Sequence, residues 1–196
     1  MKLLLNLVAS MILVASSSVF AGDVNVSKLS KKKQTPQGLY LTANETHKMV
    51  SSESNQLLFI DVRTPAEIEF VGAPKSIDAN IPYMLNDFTE WDDKKKRFKK
   101  VPNSNFTVLI EDALAAKGLR KNDKIVLMCR SGSRSAKAAN LLYQAGYKNV
   151  YSVIEGFEGD KSKVASNKGQ RVINGWKNSN LPWTYKHEEN KMYLEL

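Results

Sequence analysis

The chain contains a single cysteine, Cys129, and it stands directly before Arg130-Ser131-Gly132-Ser133-Arg134-Ser135. A thiol followed within five residues by two guanidinium groups has the makings of a sulfur nucleophile held beside an anion site. The arginines favour thiolate over thiol, and their N–H donors can orient an anionic reactant. Ser131 and Ser133 add hydroxyl donors, while Gly132 allows a sharp turn and close approach of backbone to ligand. With no second cysteine, the sulfur cannot close an internal disulfide, form a Cys-x-x-Cys redox pair or anchor a structural zinc site. His47 and His187 lack neighbouring ligand partners and read as surface residues, so no Cys–His dyad is expected. The chemistry expected is attack by a thiolate, without metal or cofactor. The bland alternative, a buried cysteine acting as a small hydrophobe, leaves the Arg-Ser-Gly-Ser-Arg context unexplained.

The flanking residues say how such a loop is held. Ile125 to Met128 is an unbroken apolar run, as in a strand covered on both faces of a parallel sheet. Beyond the loop, Ala138, Leu141, Leu142 and Ala145 recur at helical spacing, and Gly146 stands where a left-handed C-cap belongs. The sulfur therefore falls between the carboxyl end of a strand and the start of a helix, where backbone N–H groups and the helix dipole stabilise an anion. Leu57 to Val62 reads as another strand, placing Asp61 and Arg63 at the same sheet edge, the edge at which open α/β sheets bind ligands. The Asp-x-Arg pair reads first as a fixture for neighbouring loops through hydrogen bonds and an ion pair, and only second as a participant in chemistry. Thr42 to Glu45 and Thr64 to Glu67 have capping-box spacing, the first opening a helix over Ala43 to Ser52, the second a short helix. A helix over Phe106 to Lys117 with Gly118 as its cap, and a strand over Val150 to Ile154, complete an alternation that predicts an α/β fold.

These residues carry a resemblance. Cys129-Arg-Ser-Gly-Ser-Arg-Ser after a buried strand is similar to the active-site loop of the rhodanese family of sulfurtransferases. Leu57-Leu58-Phe59-Ile60-Asp61-Val62-Arg63-Thr64-Pro65-Ala66-Glu67 resembles the family's first signature, and Ile77-Asp78-Ala79-Asn80-Ile81-Pro82 its Asn-Ile-Pro strand. Glu155-Gly156-Phe157 and Gly175-Trp176 to Leu181-Pro182 resemble its closing segments. The likeness runs in order from Leu39 to Tyr185. One departure is Gly72-Ala73-Pro74-Lys75, where many members have Gly-His-Ile-Pro. The resemblance implies a parallel sheet of about five strands flanked by helices on both faces. It also implies a thiosulfate sulfurtransferase, with Cys129 carrying a persulfide. Arg130, Ser131, Gly132, Ser133 and Arg134 would bind the substrate, and Asp61 and Arg63 would give support at the same edge. A small anionic donor such as thiosulfate and a cyanide or thiol acceptor follow from the same source. Related cysteine phosphatases place five residues between Cys and Arg, whereas this chain has four, a smaller loop suited to sulfur rather than phosphoryl. A module that carries sulfur or binds a partner without efficient turnover is the other alternative.

Around this core, residues 1–21 read as a secretory signal, with Lys2, an apolar stretch from Leu3 to Val14 and small residues up to Ala21. The apolar stretch is well short of the ~20 residues a spanning helix needs. An exported, periplasmic or secreted protein without a membrane segment after cleavage is expected. Residues 22–38 read as a flexible leader or partly ordered arm, 39–185 as one domain and 186–196 as an uninformative tail. The formal charge of +9 invites a nucleic-acid reading, but export and the lack of interleaved aromatic and basic residues argue against it. Steering of small anions, or an acidic protein partner, fits better. The connection from Met84 to Asn105 holds the run Lys94-Lys95-Lys96-Arg97-Phe98-Lys99-Lys100, read as a solvated face. Asp160 to Gln170 reads as exposed. Trp176 and Trp183 read first as packing residues and second as residues of the pocket mouth.

Overall fold

The computed structural model describes residues 24–194, so the expected signal lies outside the described residues. Strand β1 (Tyr40–Leu41) leads into α1 (Ala43–Ser52), β2 (Leu57–Asp61) and α2 (Pro65–Val71). Short strands β3 (Ala73–Pro74) and β4 (Ala79–Asn80) follow, then the longer β5 (Met84–Asp92) and β6 (Arg97–Pro102). The chain continues through α3 (Phe106–Ala116), β7 (Lys124–Met128), α4 (Ser133–Gln144), β8 (Val150–Val153) and β9 (Trp183–Thr184). The central sheet is parallel, with five strands in the order β1-β8-β7-β2-β4.

The alternation of side chains along the strands divides the core in two. Leu57, Phe59, Val126 and Met128 face Met49, Val50, Ile68 and Trp176 on the side of α1 and α2. Leu58, Ile60, Ile125, Leu127 and Cys129 face Phe106, Ile110, Leu114, Ala138 and Leu142 of α3 and α4. Both predicted capping boxes form: Thr42 caps Glu45, Thr64 caps Glu67, and each glutamate returns a bond to its cap residue. The register pairs Asp61 with Met128, so the ends of β2 and β7 are level. Asn80 locks that edge, its amide donating to the carbonyls of Asp61 at 2.9 Å and Arg63 at 2.8 Å.

Three segments acquire detail that the sequence did not give. The Met84 to Asn105 connection is an antiparallel hairpin, β5–β6, with a register irregularity between Asp87 and Trp91. Residues 24–38, read as a flexible leader or partly ordered arm, include two short 3-10 turns, Val26–Lys28 and Lys31–Lys33. The second turn buries Lys33, whose ammonium pairs with Asp160 at 2.9 Å, and Gln37 donates to the Ala139 carbonyl of α4 at 3.0 Å. Asp160 to Gln170 is exposed at most positions, as expected, with Ser162 the one buried residue in it. His47 and His187, expected at the surface, are half-buried. His47 meets the edge of Trp176 at 5.5 Å.

Candidate active site

Cys129 follows β7 and is 1% exposed. The Gly132 N–H donates to its Sγ at 3.2 Å, and the Ser135 hydroxyl lies 3.7 Å from it. Gly132 has φ of 91°, and a Cβ there would sit 2.2 Å from the Ile154 carbonyl oxygen, so the turn that presents this N–H admits only glycine. The loop's carbonyls are drawn away from the sulfur. Cys129 O accepts the Phe157 N–H at 2.8 Å, and Arg130 O accepts those of Glu158 at 2.9 Å and Gly159 at 3.2 Å. Phe157, Glu158 and Gly159 thus act on the loop as a backbone brace. Ser133, Arg134 and Ser135 open α4, so their N–H groups have no intrahelical acceptor and the helix's positive end lies beside the thiol.

A cleft of about 610 Å³ opens over Cys129, and Arg130, Ser131, Ser133 and Arg134 line it with the thiol. The predicted loop residues are thus brought together, Gly132 through its bond to Sγ. Arg134 is not a free anion ligand, however. Its guanidinium forks onto Glu67, Nη1 to Oε2 at 2.6 Å and Nη2 to Oε1 at 2.5 Å. Burial works to raise the Glu67 carboxyl, but Arg134's hydrogen bonds and charge, helped by Lys100 at 3.5 Å, hold it far below the ordinary carboxylate range. Burial likewise opposes charge on Arg134, yet Glu67, Cys129 and Asp61 push its pKa above the ordinary arginine value. Arg130 makes no salt bridge among the described residues, and its buried Nε has no acceptor.

Asp61 and Arg63 support the site from beneath. Both are fully buried and paired, Arg63 Nη2 to Asp61 Oδ2 at 2.7 Å, with the Arg63 backbone N–H also on Asp61 Oδ1 at 3.0 Å. The Arg63 guanidinium lies 4.2 Å from the centre of the Phe157 ring and donates to the Gly72 carbonyl at 2.8 Å. Phe157 is the residue whose N–H holds Cys129 O, so the pair braces the loop and stays out of the cleft. Trp176 is fully buried with its indole N–H on Pro182 O at 2.9 Å, and Trp183 packs edge-on to Phe157 and Tyr185; both are packing residues.

The basic run is exposed from Lys94 to Lys99, as a solvated face requires, with Lys100 half-buried. What the sequence did not show is where that face lies: Lys95, Arg97, Lys99 and Lys100 of the hairpin line the Cys129 cleft with Lys32, Lys137 and Arg171. Glu67 and Asp92 are the acids among the lining residues.

The family model of the rhodanese-like domain matches residues 42–163. The chain belongs to the rhodanese-like domain family. This rhodanese-like chain is 34% identical over 145 residues to an uncharacterized protein of Rickettsia rickettsii, covering 74% of this chain and 96% of the relative. It is 33% identical over 99 residues to thiosulfate sulfurtransferase 18 of Arabidopsis thaliana, covering 50% of this chain and 62% of that one. Among solved structures it is similar to Rv0390 from M. tuberculosis, with a TM-score of 0.56 and 26% identity over 75% of this chain and 97% of that one. Two features of this rhodanese-like site escape a sequence reading: Glu67 as the partner of Arg134, and the convergence of the hairpin and Arg171 on the thiol. For Glu67 a signal existed, because a capping glutamate one helix turn into α2 sits at the same sheet edge as the arginine loop.

Proposed function

We propose that this rhodanese-like domain is a sulfurtransferase that moves a sulfane sulfur through a persulfide on Cys129. The observation that carries the reading is the sulfur itself, held at 3.2 Å by the Gly132 N–H at the start of α4, under a cleft lined chiefly by cations. A thiolate and the persulfide it becomes are both stabilised there by the N–H groups and the helix dipole. The Cys129 thiolate attacks the outer sulfur of thiosulfate or a similar anionic donor. A new S–S bond forms, the donor's S–S bond breaks, and sulfite leaves with the electron pair. Cyanide or a thiolate then takes the outer sulfur, and the electron pair of the broken bond returns to Sγ. No proton transfer is required, in keeping with the absence of a histidine from the residues lining the cleft. Arg130 and Arg134 orient the donor oxyanion, Arg134 in the direction set by Glu67. The signal-like residues 1–21 support action after export, and the basic cleft suits an anionic donor or an acidic protein partner.

The test is thiocyanate release from thiosulfate and cyanide by the protein and by Cys129→Ser. Turnover that is lost in the variant is expected. Equal turnover in both would overturn the assignment, and hydrolysis of an aryl phosphate would move it to the phosphatase alternative.

A further inference from the structure

The cleft above Cys129 is built for something larger than thiosulfate. Its volume of about 610 Å³ lies within the range of roughly 300–1,000 Å³ that holds organic ligands, whereas thiosulfate is an anion of a few heavy atoms. Its cations also divide into two sets. Arg134 and Lys100 are committed to Glu67, Lys95 to Asp92 and Lys99 to Glu90. Lys32, Arg97, Arg130, Lys137 and Arg171 line the same cleft and make no salt bridge among the described residues, although Asp92 acts on Arg97, and Glu158 and Asp160 on Arg171, at longer range.

Two of these are joined to one backbone segment. Arg171 Nη1 donates to the Gly159 carbonyl, and the Gly159 N–H donates to the Arg130 carbonyl at 3.2 Å, so one short backbone relay ties both arginines to the rim of the thiol loop. Arg130 keeps a buried Nε without an acceptor. Burial and the charge of Arg130 lower the Arg171 guanidinium pKa from its ordinary value, against the opposing pull of Glu158, Asp160 and Cys129. The hairpin adds Arg97 to the lining of the same cleft.

We infer that Arg130, Arg171 and Arg97 form an anion subsite for the body of an organic thiol acceptor bearing at least two carboxylate or phosphate groups. The inference rests on the sulfurtransferase reading and specifies its acceptor. With the anionic groups held by the arginines, the acceptor thiolate attacks the outer sulfur of the Cys129 persulfide. One S–S bond forms on the acceptor, the S–S bond to Cys129 breaks, and its electron pair stays on Sγ. Phosphate-bearing and carboxylate-bearing thiols share this chemistry.

The experiment compares mercaptosuccinate with uncharged 2-mercaptoethanol as acceptors after thiosulfate loading, in the full chain, in Arg171→Ala and in Arg97→Ala. A charge-assisted contact supplies enough binding that the ratio of kcat/KM for mercaptosuccinate over 2-mercaptoethanol should fall about tenfold in each variant. Arg171→Lys should recover part of it. Arg97 is exposed on the hairpin, so its variant carries the test if loss of the Gly159 contact unfolds the Arg171 variant. A ratio within about twofold of the parent protein in every folded variant overturns the subsite. Separately, calorimetric titration with S-methylmercaptosuccinate, which cannot accept sulfur, reads the subsite alone. Binding weakened about tenfold in the variants supports it even if Cys129 takes no sulfur from thiosulfate. Absence of binding to the parent protein overturns it even if Cys129 does.

Discussion

Replacing Glu67 by Gln removes the ion pair that joins α2 to Arg134 beside the thiol loop. Glutamine serves at the third helical position of a capping box, so the bonds between residue 67 and Thr64 can persist while the charge is removed. What is lost is the bidentate pair with Arg134, at 2.6 and 2.5 Å, and the longer contact with Lys100 at 3.5 Å. The side chains of Arg134 and Glu67 are 16% and 19% exposed, so the pair belongs nearer the buried than the surface regime. A half-broken buried pair costs about 3–5 kcal/mol, and the cleft beside this one lets water reach the orphaned guanidinium, which brings the expected loss to about 2–4 kcal/mol. For a chain of this size that is a fall in Tm of roughly 4–16 °C. Because Glu67 titrates lower when folded than its ordinary value of 4.5, its contribution is fully present above about pH 4.5 and is lost as pH falls below it. Urea titrations at pH 7 and at pH 3 therefore should show a large difference between protein and variant at the higher pH and a smaller one at the lower. In turnover, an Arg134 without its partner keeps its attraction for anions but loses its orientation, so kcat with thiosulfate should fall about tenfold or more while KM changes less. Unchanged stability at pH 7, or a stability difference that does not shrink with acid, would refute the assignment of Glu67 as the residue that holds Arg134.

Gly132→Ala should reduce persulfide formation by at least about tenfold, since its Cβ meets Ile154 O and the N–H on Sγ must move; a rate within about twofold of the parent protein would contradict the turn's role. Asp61→Asn leaves the buried Arg63 charge unpaired and should destabilise the fold by about 3–5 kcal/mol in urea unfolding at pH 7, where a loss below about 1 kcal/mol would show that the pair is not a brace.

The parts of the site that were legible were those written locally. The apolar run before Cys129, the helical spacing after it and the glycine at 132 state a strand, a turn and a helix within one stretch, and the structure has β7, the loop and α4 there. The capping boxes at Thr42 and Thr64 were legible for the same reason. The hairpin was hidden because it lies outside the core. With Phe88, Trp91, Phe98 and Val101 all exposed, no alternation of apolar and polar residues marks β5 or β6. Arg171 was hidden because its approach to Arg130 depends on the fold of the 156–175 segment, which returns to the thiol loop through backbone bonds that carry no side-chain signature. Lys33 with Asp160 and Arg134 with Glu67 are pairs of the same kind, distant in sequence and joined only by the packing of elements.

The most direct test of the central claim is the intact mass of the protein before thiosulfate, after it, and after subsequent cyanide. One sulfur atom should be gained on Cys129 and removed by cyanide with equivalent thiocyanate, and none should be gained in Cys129→Ser. No sulfur adduct under any of these conditions, or one that persists in Cys129→Ser, would contradict it.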